Sequence, residues 1–223
     1  MSEWRYYYKI DPEYNSRVGN NMLYTPSING LEMCMHYDHT SEYQKASTRT
    51  DFTEELLGFF FERELEHLTK FQSYSWAPKL LHSDINERKI HIEFPGETLN
   101  DILYTGRILI NEVPNYEEQI YNIIKDIYDA GYYKMSLYPH CFFVVDGKIK
   151  TFDFYACVSR SDPYLSKARL QGMMGNDSAK RFEEASEGDK VNFDIFFKRL
   201  LSTHVKWPNN LFPRIHERLY NEL

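Results

Sequence analysis

The chain has 223 residues, 42% hydrophobic and 26% charged, which suits one large domain or two small lobes and excludes a disordered or fibrous chain. Its 26 Lys and Arg stand against 33 Asp and Glu, a net charge of −7, so nucleic acid is disfavoured as the main partner, because contact with a phosphate backbone needs a cationic surface. No run approaches the roughly 18 apolar residues of a membrane span. The start, Met1-Ser2-Glu3-Trp4-Arg5, lacks the apolar core of a secretory signal, and the three widely spaced cysteines, Cys34, Cys141 and Cys157, form neither a disulfide scaffold nor a thiolate zinc pattern. The expectation is a reduced, cytoplasmic protein that does not enter membranes.

In chain order, the Tyr-rich stretch Trp4 to Ile10 predicts a strand, and Asp11 to Asn21, with Pro12 and Gly19, a loop. Met22-Leu23-Tyr24 predicts a short strand, Ser27-Ile28-Asn29-Gly30 a hairpin turn, and Leu31 to Tyr37 the returning strand. Asp51 to Phe71 predicts the first helix, with Leu56, Phe59, Phe60, Arg63, Leu65 and Leu68 along its stripe and Asp51 or Thr53 as its cap. Lys79 to His82 and Lys89 to Phe94 read as strands joined through Asp84-Ile85-Asn86-Glu87, and Pro95-Gly96 as a boundary. Glu117 to Ala130 predicts an amphipathic helix with Ile120, Ile123, Ile124, Ile127 and Tyr128 at helical spacing, stopped by Gly131. Cys141 to Val145 and Lys148 to Phe152 flank Asp146-Gly147, a type I′ hairpin signature, and Asp153-Phe154 follows at once. Residues 155–177 read as irregular; helices are expected over Ser178 to Ala185, Val191 to His204 and Pro213 to Asn221.

The order of strands, one helix, two strands, a break and then helices around a hairpin resembles the protein-kinase-like fold. The stretch that carries the resemblance runs from Tyr132-Tyr133-Lys134-Met135-Ser136-Leu137-Tyr138-Pro139-His140-Cys141 through the hairpin to Thr151-Phe152-Asp153-Phe154. In kinases a helix leads into a catalytic loop, and a hairpin then delivers a metal-binding Asp in an Asp-Phe-Gly motif. Upstream, Phe61-Glu62-Arg63-Glu64-Leu65-Glu66-His67-Leu68 resembles the helix that supplies the ion-pair Glu, with Glu64 in that place. The resemblance implies an α+β, two-lobe fold: a small antiparallel sheet with one helix over 1–94, and a reduced helical lobe over 95–223. It also implies Asp153 as a metal ligand, Cys141 at the second metal-ligand position, Ser136 at the catalytic Asp position, and His36 with Glu64 at the positions of the nucleotide-gripping Lys/Glu pair.

The departures fall on the chemistry. Ser136 cannot take a proton from an attacking hydroxyl at neutral pH. Cys141 is a poor ligand for Mg²⁺, which prefers oxygen. His36 is shorter than Lys and mostly neutral at pH 7. Gly19 stands alone where a Gly-rich loop is expected, Tyr155 replaces the Gly after Asp153-Phe154, and Asp162-Pro163-Tyr164 does not match Ala-Pro-Glu. The reading that follows is a catalytically degenerate, pseudokinase-type binding or regulatory protein with a protein partner; binding of ATP with Mg²⁺ is expected to be weak or absent. Two alternatives stay open: an atypical nucleotide-dependent transferase, moving phosphoryl or adenylyl groups with Asp153 on the metal, and a structural or assembly scaffold, as in a virus-encoded protein of the host cytoplasm. Bland readings stand beside these. Asp153 could cap a turn, Glu64 could be a solvated surface charge, and His36 a histidine satisfied in the core. His140-Cys141 lacks further nearby ligands for a zinc site and a partner acid for nucleophilic work. Phe193-Asp194-Ile195-Phe196-Phe197 reads as helix core, Ser159 to Pro163 as a polar loop, and Tyr6-Tyr7-Tyr8 as strand packing.

Overall fold

The computed structural model describes residues 23–26, 32–37, 54–93, 97–167, 183–203 and 207–221. Outside them lie the strand expected at Trp4 to Ile10, the loop with Gly19, the turn at Ser27 to Gly30, the caps Asp51 and Thr53, and the break at Pro95-Gly96. The fold is α+β, built from small antiparallel sheets and helices. The chain divides into two compact units, Met1–Pro95 and Gly96–Leu223.

The first unit holds a four-stranded antiparallel sheet, β1 (Leu23–Pro26), β2 (Glu32–His36), β3 (Leu80–Asp84) and β4 (Lys89–Glu93), in the order β1-β2-β4-β3. Alternation sets its register: Met33 pairs with Ile92 and Met35 with Ile90, and Met35, Ile90 and Ile92 are fully buried. The turn between β3 and β4 is closed by Asp84, whose Oδ1 accepts from the backbone N–H of Asn86 and of Glu87, both at 2.9 Å, while Arg88 takes a positive φ of 49°.

The helix of this unit, α1 (Glu54–Lys70), packs on β3 and β4. Its buried stripe is Leu57, Phe60, Phe61, Glu64, His67 and Leu68 rather than the one expected; Leu56, Phe59, Arg63 and Leu65 are only half-buried. Positions 57, 60, 61, 64 and 68 keep helical spacing, but the stripe is turned so that Glu64 lies inside it. Gln72, just past α1, fixes the reversal into β3: its amide donates to the carbonyls of Leu68 and Pro78, both at 3.0 Å, and its oxygen accepts from Leu80 N–H at 2.8 Å.

The second unit begins with β5 (Glu97–Thr98), α2 (Leu99–Tyr104) and α3 (Leu109–Glu112). Thr98 caps α2 in a reciprocal box with Asp101. Next comes α4 (Tyr116–Asp129), with Ile120, Ile123, Ile124, Ile127 and Tyr128 all buried, as their spacing predicts. Gly131, at φ +91°, lets the chain leave the helix into β6 (Tyr132–Lys134).

The hairpin is β7 (Phe142–Val145) and β8 (Lys148–Thr151), paired from Val145↔Lys148 to Phe142↔Thr151. Asp146 (φ 50°) and Gly147 (φ 72°) have the two positive φ values that a type I′ turn needs. The stretch after Asp153 is more ordered than expected. A short 3₁₀ turn at Phe154–Ala156 leads into β9 (Cys157–Ser159), which pairs with β6, and β10 (Tyr164–Ser166) joins β11 (Ser186–Glu187) and β12 (Lys190–Asn192) in a small sheet. Residues 168–177, and most of the helix expected at Ser178 to Ala185, lie outside the described residues. The chain ends in α5 (Phe193–Thr203) and α6 (Leu211–Asn221), which pack together; Phe193, Phe196 and Phe197 are in the core, whereas Ile195 is 47% exposed.

Candidate functional site

Pairing of the hairpin ends at Phe142↔Thr151, so Cys141 stands at the end of one strand and Phe152-Asp153 at the end of the other. Before β7, residues Pro139–Cys141 form a 3₁₀ turn with Pro139 in its first turn, closed by Cys141 N–H to Tyr138 O at 2.9 Å. Thr151 ties this turn to β8 by donating its hydroxyl to Cys141 O at 2.7 Å. Asp153 then takes a left-handed conformation, φ 65° and ψ 48°, which Asp tolerates better than most residues. The result is a thiol facing a carboxylate: Cys141 Sγ donates to Asp153 Oδ2 at 3.0 Å. Cys141 is 0% exposed and Asp153 1%.

Two side chains that the sequence reading left out of the site complete it. His140, on the same turn as Cys141, is buried with its ring stacked on Tyr138, centroids 5.4 Å apart. Ligand-capable atoms of His140, Cys141 and Asp153 all lie within 4.8 Å of one another. Lys134, at the end of β6 and 1% exposed, donates its ammonium to the carbonyls of Phe152 and Asp153, the latter at 3.3 Å, and lies 5.0 Å above the Phe154 ring. It holds the backbone of Asp153 in place. Burial first, and the Asp153 carboxylate second, push the Cys141 thiol well above its ordinary range, with Lys134 pulling the other way. Cys141 is therefore a protonated donor, not a nucleophile.

The Mg²⁺ that the kinase resemblance implies does not fit these donors. Mg²⁺ asks for a near-octahedral shell of oxygens, and this cluster offers one carboxylate, one sulfur and one imidazole. Ser136 lies half-buried in the segment between β6 and the 3₁₀ turn. In the first unit, Glu64 is fully buried, so the reading of a solvated surface charge is corrected: the helix stripe carries it inward. One turn on, His67 bonds through Nδ1 to Arg63 O at 2.7 Å, and its pKa is lowered to about 4, mainly by burial and then by the Arg63 charge. The backbone of His36 pairs with Lys89 on β4; its side chain lies outside the described residues. A lone Lys in the aromatic and apolar run Tyr132 to Leu137 was the sequence signal for Lys134, because an ammonium among such neighbours is either exposed or held by acceptors.

No family profile and no curated protein matches the chain. Among solved structures it is similar to WbdD. A WbdD structure with a kinase inhibitor matches over 89% of this chain and 44% of that one, at 16% identity and a TM-score of 0.49. A second WbdD structure matches over 90% and 48%, at 14% identity and 0.49. A third, described as a bifunctional kinase-methyltransferase, matches over 84% and 41%, at 15% identity and 0.42. The chain spans less than half the length of these WbdD chains.

Proposed function

We propose that the chain is a two-lobe, kinase-like protein whose phosphoryl-transfer site has been rebuilt, and that it works as a pseudokinase-type binding or regulatory module with a protein partner. The observation that carries this reading is the Cys141–Asp153 hydrogen bond. The carboxylate at the metal-binding position of the resemblance is buried and accepts from a thiol that cannot replace an oxygen ligand of Mg²⁺. Ser136, where a proton acceptor would stand, supports the same reading.

A thermal-shift titration of the full chain with ATP, with and without Mg²⁺ or Mn²⁺, tests it. A ligand at 100 times its Kd stabilises by about 2.7 kcal/mol. The expected result is no Mg²⁺-dependent stabilisation at millimolar ATP, in the wild type or in Ser136→Asp. Tight, Mg²⁺-dependent binding would overturn the reading and favour a working transferase.

A further inference from the structure

We infer that His140, Cys141 and Asp153 form a binding site for a borderline transition-metal ion, with Zn²⁺ the best match. Among the described residues these are the only three His, Cys, Asp or Glu side chains whose ligand atoms converge closely enough to hold one ion. Imidazole, thiolate and carboxylate are the donor types that zinc takes, and ligands of a tetrahedral zinc stand about 3.3–3.8 Å apart. Sγ and Oδ2 are 3.0 Å apart and the whole set falls within 4.8 Å, so small side-chain rotations bring the three donors onto one ion.

The supports of the ligands are built in. Cys141 is fixed at its N–H by Tyr138 and at its carbonyl by Thr151. The His140 ring is braced by Tyr138, and the backbone of Asp153 is held by Lys134. Such second contacts orient metal ligands and raise affinity. Lys134 does not compete for the site, because its ammonium is engaged by the two backbone carbonyls.

On binding, a metal–sulfur bond forms as the S–H bond of Cys141 breaks, and the proton leaves to solvent. Three protein ligands leave the fourth position of a tetrahedral ion to water or another small ligand. The inference stands on these side chains alone and holds whether or not a nucleotide binds.

The test is Co²⁺ and Zn²⁺ titration of the untagged, chelator-treated full chain. One Co²⁺ per chain is expected, with a sulfur-to-cobalt charge-transfer band in the near ultraviolet. Cys141→Ser should lose the band. Cys34→Ser and Cys157→Ser should keep it. His140→Gln and Asp153→Asn should keep the band but lose the ion to a weaker chelator than the wild type does. X-ray absorption on the zinc-loaded wild type gives a second reading that no folding defect can confuse: one sulfur at about 2.3 Å with nitrogen and oxygen at about 2.0–2.2 Å. Absence of stoichiometric binding, a band that survives Cys141→Ser, or a zinc shell without sulfur overturns the inference.

Discussion

Lys134 keeps an ammonium in the interior because two backbone carbonyls and an aromatic face replace its water. Those carbonyls belong to Phe152 and Asp153, so one side chain both satisfies its own charge and holds the left-handed residue that aims the carboxylate at Cys141. Lys134→Met keeps the stem and deletes the donor. It should cost about 2–3 kcal/mol in denaturant unfolding, the usual loss for a buried charge-assisted bond whose acceptors stay in place. A loss below about 1 kcal/mol would mean that water takes over the carbonyls and that Lys134 does not fix Asp153. The resemblance named Asp153 and Cys141 as metal-ligand positions; that the two side chains meet follows from the hairpin between them, with its Asp146-Gly147 turn. His140 was weighed with Cys141 and set aside for want of a further ligand, because Asp153 lies thirteen residues on and meets the pair only through a positive φ that no local pattern announces.

At the scale of elements, the cap of α2 carries a titration of its own. Burial raises Asp101 from 3.8 to about 7, opposed by the Thr98 N–H and by Arg107. Below pH 3.8 the group is protonated folded or unfolded. Between 3.8 and 7 the folded state holds a proton that the unfolded state has lost, so this contribution is present at low pH and is lost as pH rises through 7. His67 works the other way: its neutral folded form contributes stability above pH 6.5, which is lost as pH falls toward 4. The readout is therefore a difference. Unfolding free energies of wild type and Asp101→Asn, measured from pH 4 to 7, should diverge with a slope of at most about 1.4 kcal/mol per pH unit, the wild type losing ground as pH rises. Parallel curves would show that Asp101 is ionised throughout. Elements with strong periodicity were legible from sequence, α4 and the β7–β8 hairpin above all. The stripe of α1 was misread because it was drawn through Leu56, Phe59 and Arg63, whereas the helix turns Leu57, Phe61 and Glu64 inward. The strands β9 and β10 were missed because three residues are too few for alternation to register, and their pairing comes from β6 and β12, far away in sequence.

For the whole molecule, the expectation against nucleic acid rests on the charge balance and is tested directly. With seven more acidic than basic side chains, the chain should pass through a heparin column at about 0.15 M salt, where proteins built for phosphate backbones are retained. Retention would reveal a basic patch concentrated enough to outweigh the total. Among the described residues no helix is long and apolar enough to cross a membrane. The α+β class came from the resemblance, and α4 and the β7–β8 hairpin from periodicity and turn chemistry, whereas the chemistry of the buried cluster depended on tertiary placement. Cys141 and Cys157 are both buried thiols outside any disulfide, at different points of the second unit. A thiol reagent reaches either sulfur only while the structure around it is open, so each labelling rate, set against that of an exposed thiol, is the fraction of time its neighbourhood spends open. Cys141 thus clocks the breathing of the hairpin end, and Cys157 that of the β6–β9 pair. The two rates together tell whether the second unit opens in pieces or all at once.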